Sequence, residues 1–454
     1  MSSGCVLTAR NGRMICYALR SFSTATPCAA DKHYKLLVVG GGTGGCAAAS
    51  KFASKFGKGH VGIIEPNETH YYQPMWTLVG AGIKRVESSA RPMSSCLPRK
   101  ADWIKCKALS FDPESCKVTC TNGDVISYDY LVVGMGLQLD YHKIKGLPEA
   151  FSQDPAVCSN YNRNYVMKTY PALQNFEGGN AIFSFPNTPI KCAGAPQKIM
   201  YLAEDYWNRT GKRDKANIMY NTSLGVIFGV KKYADSLLKI VEERNIKVNY
   251  KRNLIEVRPD KREAVFQKLD SETVETETFS YNFLHVVPPM SAPDVLKESS
   301  LVDQTGYMDV NKFTLQHVRY PNIFGIGDCT NVPTSKTAAA VAAQSGILRK
   351  NLGAFIDGRP LPVLEYDGYT SCPLVTGYGK CIMAEFDFNG QPLETFPIDQ
   401  SKPRRSMYHM KKDVMPELYW KFLIRGNWEG PATYRKLMRF GMGNILKPSA
   451  VHQT

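Results

Sequence analysis

A strand that leads directly into a glycine-rich turn stands near the start of the chain. The apolar run 34–39 has the composition of a buried parallel strand, and six residues rich in glycine follow it. Gly40, Gly42 and Gly45 fit the pattern Gly-x-Gly-x-x-Gly, in which glycines permit a tight turn and let a pyrophosphate approach the backbone. A helix that begins there adds unpaired amides and a partial positive charge. This feature predicts a dinucleotide-binding α/β unit.

The expected helix and a second strand complete the unit. Residues 46–56 are rich in alanine and predict the helix, and residues 60–65 predict a strand that ends in Glu65. A carboxylate at the end of the second strand can accept hydrogen bonds from the ribose hydroxyls of an adenosine. The glycine pattern alone is a weak signal, but strand, turn, helix, strand and acid in this order are a strong one.

Later segments favour FAD over NAD as the dinucleotide. An apolar strand over 128–133 ends in glycines, and a strand over 322–327 leads to Asp328. In flavoproteins with two dinucleotide-binding domains such an aspartate binds the ribityl chain, and an ordinary helix N-cap is the alternative. A helix over 336–344 can point its N-terminus at the flavin pyrimidine and stabilise the negative charge of reduced flavin.

The segment 217–250 predicts a second strand–helix–strand unit without the glycine fingerprint. Gly225 and Gly229 alone cannot form the same pyrophosphate cradle. We therefore expect an electron donor other than NADH or NADPH. The expected fold class is α/β, with two Rossmann-like dinucleotide-binding domains of the disulfide-reductase type and a C-terminal membrane-associating region.

Length and charge limit the remaining possibilities. A chain of 454 residues is too long for one core, and it contains no apolar stretch long enough to span a membrane. The net charge of +15 favours an anionic partner. Because no nucleic-acid motif accompanies the charge, we expect an acidic lipid surface and no nucleic acid. Residues 1–30 contain arginine, serine and threonine but no acid, as in a mitochondrial transit peptide; a disordered tail is the alternative.

Two cysteines outside any Cys-x-x-Cys motif suggest redox chemistry on sulfur. Cys192 lies between Lys191 and Lys198, whose charges favour a thiolate, and a helix start is possible after Pro196. Cys372 is 180 positions further along, so only the fold could bring the two together. By composition alone, each is more often a buried structural residue than a catalyst.

The sequence around both cysteines resembles the mitochondrial sulfide:quinone oxidoreductase family. The segments that carry the resemblance are 185–198, 324–331, 333–340 and 366–377. The resemblance extends over essentially everything after residue 30. It implies a two-dinucleotide-domain flavoprotein with non-covalent FAD and a redox-active cysteine pair, located peripherally on the mitochondrial inner membrane.

The resemblance also implies a reaction. Cys192 and Cys372 would form the resting disulfide, or a version bridged by one extra sulfur. Hydrogen sulfide would attack one sulfur and leave a persulfide and a thiolate, which then reduces FAD. The persulfide sulfur would pass to glutathione, sulfite or another sulfide, and the electrons to ubiquinone. By analogy Cys372 carries the persulfide and Cys192 faces the flavin, although the two could be exchanged.

Further positions follow from the same resemblance. It implies that Thr43 and Gly44 contact the pyrophosphate, Glu65 the ribose, Ala108 (by its backbone) the adenine, Gln73 the flavin, Asp328 the ribityl chain and Lys336 the flavin pyrimidine. Cys158 lies about where some bacterial relatives carry a third redox cysteine, and a packing role is the alternative. No metal site is expected.

The stretch 402–447 combines eleven basic residues with three acids and many aromatic or aliphatic residues. Basic residues with tryptophan and aliphatics at helical spacing are typical of a helix in a membrane interface. A helical pair that packs on the core is the alternative. Because a quinone is confined to the bilayer, its reductase must reach the membrane, and this favours the interfacial interpretation.

We expect four regions. They are a transit peptide (1–30), an FAD-binding domain (31–150 and 300–355), a second Rossmann-like domain (151–299) and a C-terminal region (356–454). The nearest rival is an alternative NADH:quinone dehydrogenase, which requires a second glycine fingerprint and has no use for the cysteine pair. A scaffold with merely structural FAD would leave both cysteines unexplained.

Overall fold

A computed structural model describes residues 32–439 of the chain. The expected transit peptide, residues 1–30, and the end of the basic C-terminal stretch, residues 440–447, lie outside the described residues. Among the described residues, no helix is both long and apolar enough to cross a membrane.

The first region contains eight strands and three helices. They are β1 (Lys32–Val39), α1 (Thr43–Phe56), β2 (Val61–Ile64), β3 (Thr69–Tyr71), α2 (Trp76–Gly80), β4 (Ala90–Pro92), α3 (Met93–Cys96), β5 (Asp102–Ile104), β6 (Ala108–Asp112), β7 (Lys117–Cys120) and β8 (Val125–Val133).

The central part of the chain contributes the following elements. They are β9 (Gln138–Leu139), α4 (Leu147–Gln153), β10 (Val157–Cys158), α5 (Arg163–Asn175), β11 (Gly179–Phe185), α6 (Ala195–Arg209), β12 (Ala216–Thr222), α7 (Lys231–Glu243), β13 (Lys247–Asn249), β14 (Arg252–Arg258), β15 (Glu263–Lys268), β16 (Thr276–Ser280), β17 (Phe283–His285), β18 (Met290–Ser291) and α8 (Asp294–Lys297).

The last part returns to the first sheet and then forms a hairpin and short helices. Its elements are β19 (Ile323–Gly325), α9 (Ala338–Ile356), β20 (Thr370–Gly377), β21 (Lys380–Phe386), α10 (Arg405–His409), α11 (Met415–Lys421) and α12 (Ala432–Met438), with a π-helical turn at Met410–Val414 between α10 and α11.

The first sheet has the order β5-β2-β1-β8-β7-β6. Strands β5, β2, β1 and β8 are parallel, and β19 joins β8 in parallel at Leu131–Val133. The β-branched and leucine-rich runs of β1, β2 and β8 are buried, because helices cover a parallel sheet. Their carboxyl ends meet at one edge, which is where open α/β sheets bind ligands.

The second sheet is wholly parallel, in the order β10-β17-β11-β12-β13. Its core contains Trp207, Tyr220 and Phe283, and the same cluster includes Cys372 of β20. Helix α6 follows β11 and packs against β20 of the β20–β21 hairpin. This contact brings the end of β11 and the hairpin together.

Candidate active site

The glycine turn after β1 is shaped by close backbone contacts on one side and open space on the other. A Cβ on Gly40 would lie 2.6 Å from the Gly134 carbonyl oxygen, and one on Gly45 would lie 1.7 Å from that of Gly40. A Cβ on Gly42 would meet nothing within 4 Å. Gly42 is also the N-cap of α1 and makes no side-chain capping bond, so the first amides of the helix remain available. The turn therefore fits the pyrophosphate of a dinucleotide.

The helix begins earlier than the sequence predicts. Thr43 is the first residue of α1, and Gly44 and Gly45 are helical and buried. A Cβ on Gly44 would lie 2.9 Å from Ile326 Cγ2, which follows β19. Gly44 thus allows the helix to pack against the strand that precedes Asp328.

Glu65 follows β2 and its carboxylate bends back to the turn. Glu65 Oε2 accepts a hydrogen bond from the Gly41 amide at 2.8 Å, and Oε1 accepts one from the Asn67 amide at 2.7 Å. The Glu65 amide donates to the Ile104 carbonyl at 3.0 Å. Ala108 begins β6 shortly after Ile104 and is buried. These contacts hold the Glu65 carboxylate against the glycine turn.

Asp328 and Lys336 lie at the carboxyl end of β19. Gly327 has a φ of +79°, which turns the chain there, and burial raises the pKa of Asp328. The Lys336 ammonium donates to the carbonyls of Asp328 at 2.7 Å and Thr330 at 2.9 Å. Helix α9 begins at Ala338, with the Thr337 side chain as its N-cap.

Backbone and side-chain contacts connect this edge of the first sheet to the cysteines. The Lys336 carbonyl accepts a hydrogen bond from the Cys192 amide at 2.8 Å. The Lys191 ammonium donates to Gln73 Oε1 at 2.7 Å, and burial lowers the pKa of Lys191 to about 8. The two positions expected nearest the flavin ring, Gln73 and Lys336, therefore both contact the segment that carries Cys192.

The fold brings the two cysteines together. Their Sγ atoms lie 3.5 Å apart although 180 positions separate them in the chain. Cys192 has a φ of +55°, and Cys372 is buried in β20. A Cβ on Gly194 would lie 2.5 Å from Cys372 Sγ and 2.4 Å from Leu374 Cδ2, so only glycine permits this approach. Such a pair can exchange between dithiol and disulfide.

The charges around the pair are unequal. The Lys198 ammonium lies 3.1 Å from Cys192 Sγ. The hydrogen bond from Cys372 and the charge of Lys198 hold the pKa of Cys192 well below its usual range. The same hydrogen bond, together with burial, raises the pKa of Cys372 well above its usual range. In the reduced protein, these opposite pKa shifts favour a thiolate on Cys192 rather than on Cys372.

Lys411 belongs to the site although the sequence pattern places it on a membrane surface. Its side chain is 3% exposed and its ammonium donates to the Pro74 carbonyl at 2.7 Å. Burial and the nearby charge of Lys198 lower the pKa of Lys411 to about 8. No local signal marks this lysine, since its environment depends on contacts with distant segments.

Cys158 is a core residue of the second sheet. It lies in β10, its thiol contacts the Leu284 carbonyl at 3.7 Å, and burial raises its pKa to about 12. These contacts support the packing alternative for this cysteine.

Residues 405–425 of the C-terminal stretch pack on the protein, and residues 402–439 do not form the one continuous interfacial helix that was expected there. The stretch is broken into α10, a π-helical turn, α11 and α12. The side chains it buries are Met407, Tyr408, Lys411, Pro416, Tyr419, Leu423 and Ile424. The apolar side chains it exposes are Val414, Phe422, Tyr434, Leu437 and Met438. The core-packing alternative therefore describes residues 405–425 better.

A dinucleotide-binding sheet with a cysteine pair at its ligand edge defines the class of flavin-dependent disulfide oxidoreductases. In agreement, residues 34–168 match the family described as pyridine nucleotide-disulphide oxidoreductase. The mitochondrial sulfide:quinone oxidoreductase of Mus musculus is 58% identical over 92% of this chain and 92% of its own. That of Schizosaccharomyces pombe is 42% identical over 90% of this chain and 95% of its own.

The chain belongs to the family of mitochondrial sulfide:quinone oxidoreductases. The fold also agrees with that of the solved sulfide:quinone oxidoreductase of Aquifex aeolicus. The TM-score is 0.74 at 21% identity, and the match covers 90% of this chain and 95% of that one.

Proposed function

We propose that this protein oxidises hydrogen sulfide at the Cys192–Cys372 pair and reduces ubiquinone by way of FAD. The observation that carries the proposal is the 3.5 Å approach of the two sulfurs beside the Lys198 ammonium. Family membership supports the same reaction. Family membership does not favour an NADH:quinone dehydrogenase. Such an enzyme would also need a second glycine fingerprint, which the segment 217–250 does not have.

The first step is thiol–disulfide exchange with a hydrosulfide nucleophile. Hydrosulfide attacks the Cys372 sulfur of the disulfide, a new S–S bond forms, and the old bond to Cys192 breaks. Cys372 then carries a persulfide, and the electron pair leaves on Cys192 as a thiolate. Because Lys198 lowers the pKa of Cys192, that sulfur is the better leaving group.

The open glycine turn fits a dinucleotide, and we propose that FAD is the one it holds. The residues that would hold it are Gly40, Gly42, Thr43, Gly44, Gly45, Glu65, Gln73, Ala108, Asp328 and Lys336. Bound FAD supplies a two-electron acceptor beside the thiolate. A small acceptor such as glutathione or sulfite removes the outer persulfide sulfur, which returns Cys372 to a thiolate. The Cys192–Cys372 bond then re-forms, and the two electrons that this releases are the pair that bound FAD would accept and pass to the quinone. With a thiol acceptor, sulfide, thiol and quinone are converted to a persulfide and a quinol.

We also propose a peripheral position on the mitochondrial inner membrane. The names of the relatives support a mitochondrial protein. The exposed apolar side chains of α12, led by Leu437 at 71% exposure, offer a surface for the bilayer.

Anaerobic rapid mixing with sulfide, and separately with NADH, tests the proposal. We expect sulfide alone to bleach the flavin absorbance in the wild type but not in Cys192→Ser or Cys372→Ser, with bound flavin retained in both. Cys116→Ser, at a half-buried cysteine in the turn before β7, is the matched control and should behave as wild type. Bleaching by NADH alone, or normal turnover in either active-site variant, would overturn the proposal.

A further inference from the structure

Tyr419 links the C-terminal segment to the glycine turn. Its hydroxyl lies 2.9 Å from Thr43 Oγ1 and 2.6 Å from His70 Nε2. The other ring nitrogen of His70 lies 3.0 Å from the Gly41 carbonyl oxygen. One buried side chain of α11 thus contacts the first residue of α1 directly and the preceding turn through a histidine.

The contact is buried and neutral. Tyr419 is 2% exposed and His70 is 3% exposed. Burial lowers the pKa of His70 to about 4, so the imidazole is uncharged near neutral pH. A neutral imidazole that donates from Nδ1 to Gly41 must accept at Nε2, so the Tyr419 hydroxyl donates to His70 and accepts from Thr43. One consistent set of proton positions therefore satisfies all three groups.

Neighbouring rings hold Tyr419 in place. The Tyr72 and Tyr419 ring centroids lie 4.4 Å apart, and Tyr72 directly precedes Gln73. On the next turn of the chain, the Ile424 carbonyl accepts a hydrogen bond from Ser50 of α1 at 2.9 Å. The C-terminal stretch therefore contacts α1 at two positions, Thr43 and Ser50, as well as the glycine turn.

We propose that Tyr419 and His70 are positioning residues for the dinucleotide. They fix the Thr43 side chain and the Gly41 carbonyl so that the helix amides point at the pyrophosphate. The packing of α11 against Thr43 and His70 then determines how tightly the protein binds FAD. The inference rests on the proposed FAD site but not on the sulfide reaction, because FAD binding is measured without sulfide.

FAD titration of apoprotein, followed by flavin fluorescence, tests the inference in Tyr419→Phe, His70→Gln and the double variant. Loss of a buried hydrogen bond predicts a rise in the Kd for FAD of roughly fivefold or more. Because the two residues act as a unit, the double variant should bind no more weakly than the weaker single variant. Tyr434→Phe removes the hydroxyl of an exposed tyrosine on α12 and is the matched control.

A merely structural role gives a different result. It would lower the unfolding temperature of the apoprotein but leave the Kd of the folded fraction unchanged, and that outcome overturns the inference. Additive effects of the two substitutions on the Kd would overturn it as well. If Tyr419→Phe does not fold, His70→Gln provides the same test. The quantity measured is then the rate at which FAD dissociates from the purified His70→Gln holoprotein. Failure of sulfide to bleach the flavin would refute the proposed function and leave this inference standing.

Discussion

At the scale of single residues, one lysine decides how the cysteine pair is charged. Lys198 is 3% exposed, on the first turn of α6, and its ammonium lies 3.1 Å from Cys192 Sγ. The charge of Cys192 in turn raises the pKa of Lys198, against the effect of burial. The two groups therefore form an ion pair in the reduced protein.

Lys198→Met should raise the pKa of Cys192, since it removes the cation and leaves the burial. The pH at which half of Cys192 is a thiolate then rises by roughly one to two pH units. The pH dependence of alkylation of Cys192 in anaerobically reduced protein, followed by mass spectrometry of the peptide, measures the change. The sequence pattern places Lys191 and Lys198 alike beside Cys192, but in the structure the Lys191 ammonium contacts Gln73 and not the sulfur, so Lys191→Met is the matched control. An unchanged alkylation profile in Lys198→Met would contradict the ion pair.

At the scale of elements, the first strand–turn–helix could be predicted from the sequence almost completely. The strand at 34–39, the glycine turn and the acid at Glu65 all appear where the pattern places them. The predicted helix 46–56 starts three residues too late, because Thr43, Gly44 and Gly45 are helical despite the low helix propensity of glycine. Packing of Gly44 against Ile326 explains this, and that contact is not visible in the local sequence.

Contacts between distant elements could not be predicted. The pairing of Cys192 and Cys372 is implied only by the resemblance to a family, because 180 positions separate the two residues and no local pattern connects them. Tyr419 and Thr43 are 376 positions apart, and no sequence pattern connects them. Lys411 matched the basic spacing of an interfacial helix, but tertiary packing buried it.

Gly42→Ala distinguishes a binding role of the turn from a packing role. A Cβ at this position meets no protein atom within 4 Å, so the folded apoprotein should be about as stable as the wild type. The same methyl group lies where a pyrophosphate would approach, so we expect the Kd for FAD to rise at least about tenfold. Flavin titration and thermal unfolding of the apoprotein measure the two quantities.

Gly353→Ala in α9 is the matched control, because a Cβ there also meets nothing within 4 Å. It should leave the Kd for FAD unchanged and stabilise the helix slightly. Wild-type FAD binding in Gly42→Ala would contradict the placement of the pyrophosphate.

At the scale of the whole molecule, we propose that the chain divides into two domains, one built on the first sheet, which is mixed, and one built on the wholly parallel second sheet. The FAD-binding domain would comprise residues 31–150 and 300–355, since β19 returns to the first sheet. The second domain would comprise 151–299, and the region from 356 would complete both. The hairpin of the last region carries Cys372 into the second core, while Tyr419 and Ile424 contact the first. Residues 370–424 are thus part of the fold, and deletion of the C-terminal region would remove buried side chains from both cores.

Membrane binding must therefore be tested with exposed residues of the last helix rather than by truncation. Leu437 is 71% exposed and Met438 is 42% exposed, and basic residues flank them on α12. Leu437→Glu combined with Met438→Glu replaces apolar contacts by charges that anionic lipids repel. Each lost apolar contact weakens the binding free energy by about 1 kcal/mol. We expect binding to cardiolipin-containing liposomes to fall by at least about tenfold, with FAD content and sulfide-driven bleaching unchanged.

Quinone length separates this effect from damage to the site. A short-chain, water-soluble quinone should be reduced at the wild-type rate, whereas a long-chain quinone in liposomes should be reduced more slowly, because only the latter requires docking. Val274→Glu is the matched control, since this valine is 83% exposed in the turn between β15 and β16, within residues 151–299. Equal loss of activity with both quinones, or unchanged liposome binding, would show that α12 does not dock. In that case the bilayer contact of residues 402–439 would have to come from the exposed apolar side chains outside α12, Val414 and Phe422.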